Sequence, residues 1–152
     1  VMSAYFSSDG RKVATVSWDE TARIWSVEGN FLYVLVGHTD LIKSANFSLD
    51  GLKVITASSD HTAKIFDAET GALLHTLFTN SIISASFSRD SKKVVTFSHD
   101  TTAKIWNVDN GILLYTLLGH TSSVKSANFS PDGKRIFTGS FDGKVNLYMS
   151  LY

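Results

Sequence analysis

The stretch Ser98-His99-Asp100-Thr101-Thr102-Ala103-Lys104-Ile105-Trp106-Asn107-Val108 decides the fold, because nearly the same sentence is written four times along the chain. Asp60 to Phe66 reads D-H-T-A-K-I-F, Asp19 to Trp25 reads D-E-T-A-R-I-W, and Asp142 to Tyr148 reads D-G-K-V-N-L-Y. A second landmark, S-A-x-F-S, starts at Ser3, Ser44, Ser84 and Ser126, which sets a repeat of about 41 residues. Approximate repeats therefore run over 1–41, 42–81, 82–123 and 124–152, within one domain spanning 1–152.

Each period holds four short runs separated by turn residues. In the second they are Ile42 to Ser48, Lys53 to Ser58, Thr62 to Phe66 and Leu73 to Phe78. The runs are rich in Val, Ile, Thr and Phe and too short for stable helices, so they predict strands. The Asp-Gly and Thr-Gly pairs between them supply residues that tolerate the positive φ of tight hairpins. Pro131, the single proline, falls in a predicted turn. The last period has only three runs, Val124 to Ser130, Arg135 to Ser140 and Lys144 to Met149. The predicted class is all-β: about four antiparallel propeller blades of four strands, the last without its outer strand, giving 15 strands. Such an arc is expected to be part of a larger ring or of one completed by another chain.

Composition removes several function classes. Fourteen basic and fourteen acidic residues leave a formal net charge of zero, against the basic field a nucleic-acid binder needs. Cysteine is absent, so there is no disulfide framework, thiolate metal site or thiol nucleophile. The longest run without Asp, Glu, Lys or Arg, Thr70 to Ser88, contains too many polar residues for a membrane span. The start shows no secretory signal pattern. The expectation is an intracellular, cytoplasmic chain with no cofactor, no nucleic acid and no membrane partner. Val1 is not an initiator methionine, so the chain reads as processed or as an excerpt of something longer.

The coupled landmarks, Gly37-His38 and Gly119-His120, the Asp-Gly hairpins, the Ser-x-Asp pairs and the A-K-I-W ending, resemble the WD-repeat β-propeller family over essentially the whole chain. The resemblance implies a non-enzymatic scaffold for protein or peptide partners. It also implies a His, Ser/Thr, Asp and Trp tetrad tying loops to strands in each blade. Matched residue by residue, the second repeat offers His38, Ser58 and Asp60 with Phe66 in the Trp place, and the fourth offers His120, Ser140 and Asp142 with Tyr148 there. The third offers Ser98, Asp100 and Trp106 but reads Thr79-Asn80 where Gly-His belongs; the first offers Ser17, Asp19 and Trp25, and its His position would lie upstream of Val1. No repeat carries all four, and Phe66 has no N–H, so its network is expected to end at Asp60 or at water.

His, Ser and Asp are also the residue types of a hydrolase triad, which would make Ser58 or Ser140 a nucleophile. A group that recurs in every repeat reads as a structural tie, because catalysis needs one copy. The five histidines, His38, His61, His75, His99 and His120, lack the helical spacing of a zinc enzyme. No catalytic or metal residues are expected. Asn46 and Asn128 match a glycosylation sequon by accident of the S-A-x-F-S strand. Arg23, Lys64 and Lys104, with Asn146 in the fourth repeat, read as a ladder of solvated or paired charges.

The informative positions vary while their neighbours repeat. Immediately before each repeated Asp stand Trp18, Ser59, His99 and Phe141, in a turn that family geometry places at the channel mouth. Lys43 and Lys125, five residues past the Gly-His histidines, are expected to border the same face and to meet an acidic or phosphorylated segment. Trp18, His99, Phe141, Lys43 and Lys125 are therefore the candidate partner-binding residues; packing of Trp18 and Phe141 on the next blade is the plainer alternative. An open arc would expose Val13, Ile24, Ile136 and Leu147 on its end faces. Three outcomes follow, ranked as an excerpt of a longer propeller, a two-chain ring of eight blades including a homodimer, and a closed ring of four.

Overall fold

The computed structural model describes residues 1 and 3–149. Among these, fifteen strands form four antiparallel sheets. The first contains β1 (Ser3–Phe6), β2 (Lys12–Val16), β3 (Ala22–Ser26) and β4 (Phe31–Leu35). The second contains β5 (Ile42–Phe47), β6 (Lys53–Ser58), β7 (Thr62–Asp67) and β8 (Leu73–Phe78). The third contains β9 (Ile82–Phe87), β10 (Lys93–Ser98), β11 (Ala103–Asn107) and β12 (Leu113–Leu117). The fourth has β13 (Val124–Phe129), β14 (Arg135–Ser140) and β15 (Val145–Met149) only. Strands follow one another across each sheet in chain order, so every sheet is a meander and every connection a short turn. The architecture is a β-propeller with an incomplete last blade. The end of the chain after Met149, which the sequence reads as too short for a sixteenth strand, lies outside the described residues.

The turns are built by the residues that repeat. Ser7, Ser48, Ser88 and Ser130 each donate their hydroxyl to the Asp two residues on, at 2.5–2.6 Å. The same oxygen accepts the amide of Lys12, Lys53, Lys93 or Arg135 at 2.9 Å, which closes the hairpin. At the other end of the blade, Asp19, Asp60, Asp100 and Asp142 accept the amide two residues ahead at 2.9–3.1 Å. That bond forces a left-handed residue between: φ is +65° at Glu20, +68° at His61, +73° at Thr101 and +80° at Gly143. Three blades bear the strain of a side chain there, and only the fourth avoids it with glycine.

Blades stack face to face. Ile55, Ala57, Ala63, Ile65 and Leu77 of the second sheet pack on Ile82, Ala85, Val94, Trp106 and Val108 of the third. The first interface uses Ala14, Val16, Ala22, Ile24 and Leu35 against Ile42, Ala45, Val54, Phe66 and Ala68. The third places Val95, Phe97 and Ala103 against Val124 and Ala127. Inner strands β1, β5, β9 and β13 contact one another in sequence, which lines them up around the channel. Polar ties cross the seams as well: Lys12 Nζ reaches the Ala68 carbonyl at 2.7 Å, His75 Nε2 the Asp109 carbonyl at 3.0 Å, and Tyr33 Oη the Ala68 carbonyl.

The end faces differ in part from expectation. Ile24 and Ile136 are fully buried, because strand alternation turns both toward the neighbouring blade. The open faces present the opposite rows. On the last blade these are Phe137, Val145 and Leu147; Phe137 is 44% exposed where its counterpart Ile55 is 0%. On the first they are Val1, Val13, Trp25 and Val27, the counterparts of buried Ile82, Val94, Trp106 and Val108.

The tie between loop and strand also departs from the sequence expectation, at one member. His38 Nδ1 lies 2.7 Å from Asp60 Oδ2, and Nε2 lies 2.7 Å from Thr56 Oγ1, so Thr56 and not Ser58 completes the network. The fourth blade repeats it with His120, Asp142 at 2.8 Å and Thr138 at 2.7 Å in place of Ser140. Two residues along a strand return to one face, which is why Thr and Ser both look eligible in the sequence. Ser58 and Ser140 instead donate to the carbonyls of Asp40 and Ser122 at 2.8 and 2.9 Å, and accept the amides of Asp60 and Asp142. The network in the second blade thus runs past Asp60 to Thr56 rather than ending at the carboxylate. In the first and third blades the threonine is used from the other side: Trp25 Nε1 donates to Thr15 at 2.9 Å and Trp106 Nε1 to Thr96 at 3.0 Å. The shortened third loop substitutes Thr79, whose hydroxyl donates to the His61 carbonyl at 2.8 Å.

Burial would raise Asp60, yet the Thr62 hydroxyl, His38 and the Thr39 amide outweigh it and bring its carboxyl down to about 2. Asp142 likewise falls to about 2, against its burial, through the Thr121 amide, His120 and the Lys144 amide. An ionised Asp60 only accepts, so His38 Nδ1 carries the proton and Nε2 accepts from Thr56. Burial depresses His38 below its ordinary 6.5 more than Asp60 raises it.

Two outcomes follow. Thr56→Val leaves His38 Nε2 buried without a donor and is expected to cost about 1–3 kcal/mol in urea unfolding, whereas Ser58→Ala, whose carbonyl partner reaches water, costs about 1 kcal/mol. Acidification is expected to lower the melting temperature in two stages. All three folded values are depressed, so the stability they bring is present above the ordinary values and is lost first below 6.5 through His38 and then between 3.8 and about 2 through Asp60 and Asp142. A melting temperature that holds through that lower window would contradict these ties.

Candidate interaction site at the channel mouth

In the last three blades the turn between the second and third strand is tied by its backbone to the segment that precedes the inner strand. Ser59, His99 and Phe141 donate their amides to the carbonyls of Leu41, Ser81 and Ser123 at 2.8, 3.0 and 3.1 Å. Those carbonyls belong to the segments that enter the inner strands, so the turn residues sit at the channel mouth. Their amides are committed, and the side chains of His99 and Phe141 are exposed while Ser59 is half-buried. Trp18 is 74% exposed and Phe141 73%, so neither is consumed by packing on a neighbouring blade.

Four of the five candidates form one arc over the last three blades. Lys43 Nζ crosses from the second blade to the Ile82 carbonyl of the third at 2.9 Å. His99 Nδ1 crosses from the third blade to Ser123 Oγ of the fourth at 3.0 Å. Lys125 Nζ then lies 4.4 Å from the centre of the Phe141 ring, a cation–π contact. Partial desolvation, then the fields of Lys125 and Lys43, hold His99 below its ordinary value. Trp18 projects from the first blade, at the far end of the arc.

Among the described residues neither Lys43 nor Lys125 has a direct ion-pair partner; the lysine and arginine ion pairs lie elsewhere, Arg23 with Asp19 at 2.9 Å and Lys12 with Glu69. Of the basic ladder, Arg23 is thus ion-paired, while Lys64 is buried and donates to Thr76 Oγ1 at 3.1 Å. The His, Ser and Asp groups are not arranged as a relay: each serine hydroxyl is spent on a carbonyl, and each histidine meets a threonine. Among the described residues there is no group of three or more His, Cys, Asp or Glu positioned to hold a metal.

A second opening escaped the sequence reading. At the opposite mouth a cleft of about 540 Å³ is lined by Phe6, Phe47, Phe87 and Phe129 with Leu49, Arg89 and Pro131. Its signal was available: Ser8, Leu49, Arg89 and Pro131 vary between an invariant Ser and an invariant Asp, as Trp18, Ser59, His99 and Phe141 vary before theirs.

The profile of the "WD domain, G-beta repeat" matches residues 1–26, 29–67, 71–107 and 111–148, each of the last three segments running from the outer strand of one sheet through the first three strands of the next. Such repeats generally serve as protein-interaction scaffolds and typically without enzymatic activity. Taken with four meander sheets around one channel, the match shows that this chain belongs to the WD40 repeat family of β-propellers.

Proposed function

We propose that the chain is a non-enzymatic interaction scaffold that presents Trp18, His99, Phe141, Lys43 and Lys125 around one channel mouth to a protein or peptide partner. The observation that carries this reading is the exposure of two large aromatics, Trp18 and Phe141, at equivalent turn positions, the Phe141 amide being held by the Ser123 carbonyl. A scaffold gains nothing from an exposed indole, whereas aromatic anchors dominate binding hot spots. Rigid turns also lower the ordering cost of association.

A second reading, completion of the ring by another chain, is favoured by the rows Val13, Trp25 and Val27 on one end and Phe137, Val145 and Leu147 on the other. They occupy the positions that bury against each other in the internal interfaces. A two-fold pair of four-bladed arcs would cover both faces at once.

Peptides enriched from a displayed library on the purified chain are expected to lose at least about tenfold in affinity on Trp18→Ala or Phe141→Ala, equivalent to about 1.4 kcal/mol, with unchanged melting. Lowered melting with unchanged affinity would assign both side chains to packing. For the second reading, light scattering over a dilution series is expected to return twice the chain mass, reverting to the single mass on Leu147→Asp; a single mass at every concentration would sink it.

A further inference from the structure

We propose that Lys43, His99 and Lys125 form a reading site for a phosphorylated segment of a peptide partner; this rests on the scaffold reading and specifies what that mouth recognises. Three cationic or donor side chains from three successive blades are drawn into one arc by contacts that leave their outer valences open. Lys43 uses one of its three N–H groups on the Ile82 carbonyl. Lys125 lies over the Phe141 ring, a contact that occupies none of its hydrogen-bond donors. When Ser123 donates to His99 Nδ1, the ring's proton sits on Nε2, a third donor.

The charge count selects the ligand. Two lysines without carboxylate partners carry two positive charges, in a chain whose formal net charge is zero. A carboxylate offsets one of them. A phosphomonoester carries about −1.5 to −2 and three acceptor oxygens, enough for both ammoniums and the imidazole. Phe141 beside Lys125 supplies an apolar surface for the residue next to the phosphate. A lipid surface is a poorer match, because electrostatic membrane docking relies on clusters of about 4–8 basic residues. Nucleic acid would require a broad basic field that the neutral chain lacks.

Three arrays of peptides, degenerate on both sides of a central phosphoserine, serine or glutamate, test the site on the intact chain, with phosphatidylserine vesicles alongside. Retention on the phosphoserine array is expected to exceed the other two by at least about tenfold. The Lys43→Gln/Lys125→Gln double variant is expected to lose that preference without a change in melting, and Lys43→Arg/Lys125→Arg to keep it. Should the glutamine variant fail to fold, the wild-type preference must still collapse on raising salt, as a charge-read contact does. Equal retention on serine and phosphoserine, a preference that survives the glutamine variant, or vesicle binding without phosphopeptide preference would each overturn the proposal. Capture that ignores phosphate but depends on Trp18 would leave the scaffold reading standing, whereas retention on no array would remove both.

Discussion

The burial of one blade's apolar face against the next is the interaction on which everything else here depends. Each sheet is a thin meander that cannot cover itself, and its second and third strands are apolar on both sides. Ile55, Ala57, Ala63 and Ile65 face forward while Val54 and Phe66 face back, so the apolar side chains of β6 and β7 are buried on both sides only because the second blade has two neighbours. Stability in such an array is close to a sum of nearest-neighbour terms. It is therefore largest in the middle blades and least in the first and last, where one face lies open.

That stacking fixes the strands but not the turns, which need their own chemistry. The repeated Asp supplies it by accepting the amide two residues ahead, at the cost of a left-handed residue between. In the last three blades the amide of the residue just before the Asp is bonded to the segment entering the inner strand, which holds that residue in place at the mouth. The fold thus separates two jobs within four residues: Asp60, Asp100 and Asp142 hold, and Ser59, His99 and Phe141 face outward.

The architecture was legible in the sequence because it is a periodic property. The recurrence of S-A-x-F-S and D-x-T-A-K-I-W gave the strand count and the missing last strand, and meander connectivity follows from turns too short for any crossover. What was not legible came down to facing. Thr56 and Ser58 are two residues apart on one strand, so both share a face, and only coordinates show which hydroxyl stands under His38. Ile24 and Ile136 look like neighbours of open faces by blade number alone; alternation sends both inward. The arc that joins Lys43, His99 and Lys125 was half legible: the lysines border the turn residues as spacing implied, but the bridges to Ile82 and Ser123 cross blades, and no local pattern encodes them. The cleft at the opposite mouth is written locally only in the variable Ser8, Leu49, Arg89 and Pro131; that the phenylalanines of four repeats gather beside them is a product of the blade stacking.

The split of the loop-to-strand network adds a further step. His38 and His120 occur in blades that lack tryptophan at the matching position, and Trp106 occurs in a blade without the histidine; in the first blade, where the histidine position precedes Val1, Trp25 bonds the threonine. In each case the threonine hydroxyl has a partner, so none is left empty. The histidine blades are also those that carry Lys43 and Lys125, five positions beyond the tie. His38 to Asp60 and His120 to Asp142 pin the segment from which each lysine emerges, whereas the third blade, with its shortened loop, contributes His99 from the turn instead. A site that reads charge needs its ammoniums held at fixed separation, since a flexible pair gives up in ordering entropy much of what it gains in attraction. The buried polar ties of the second and fourth blades meet that need from below the surface, which joins the stability of two particular blades to the geometry of the mouth.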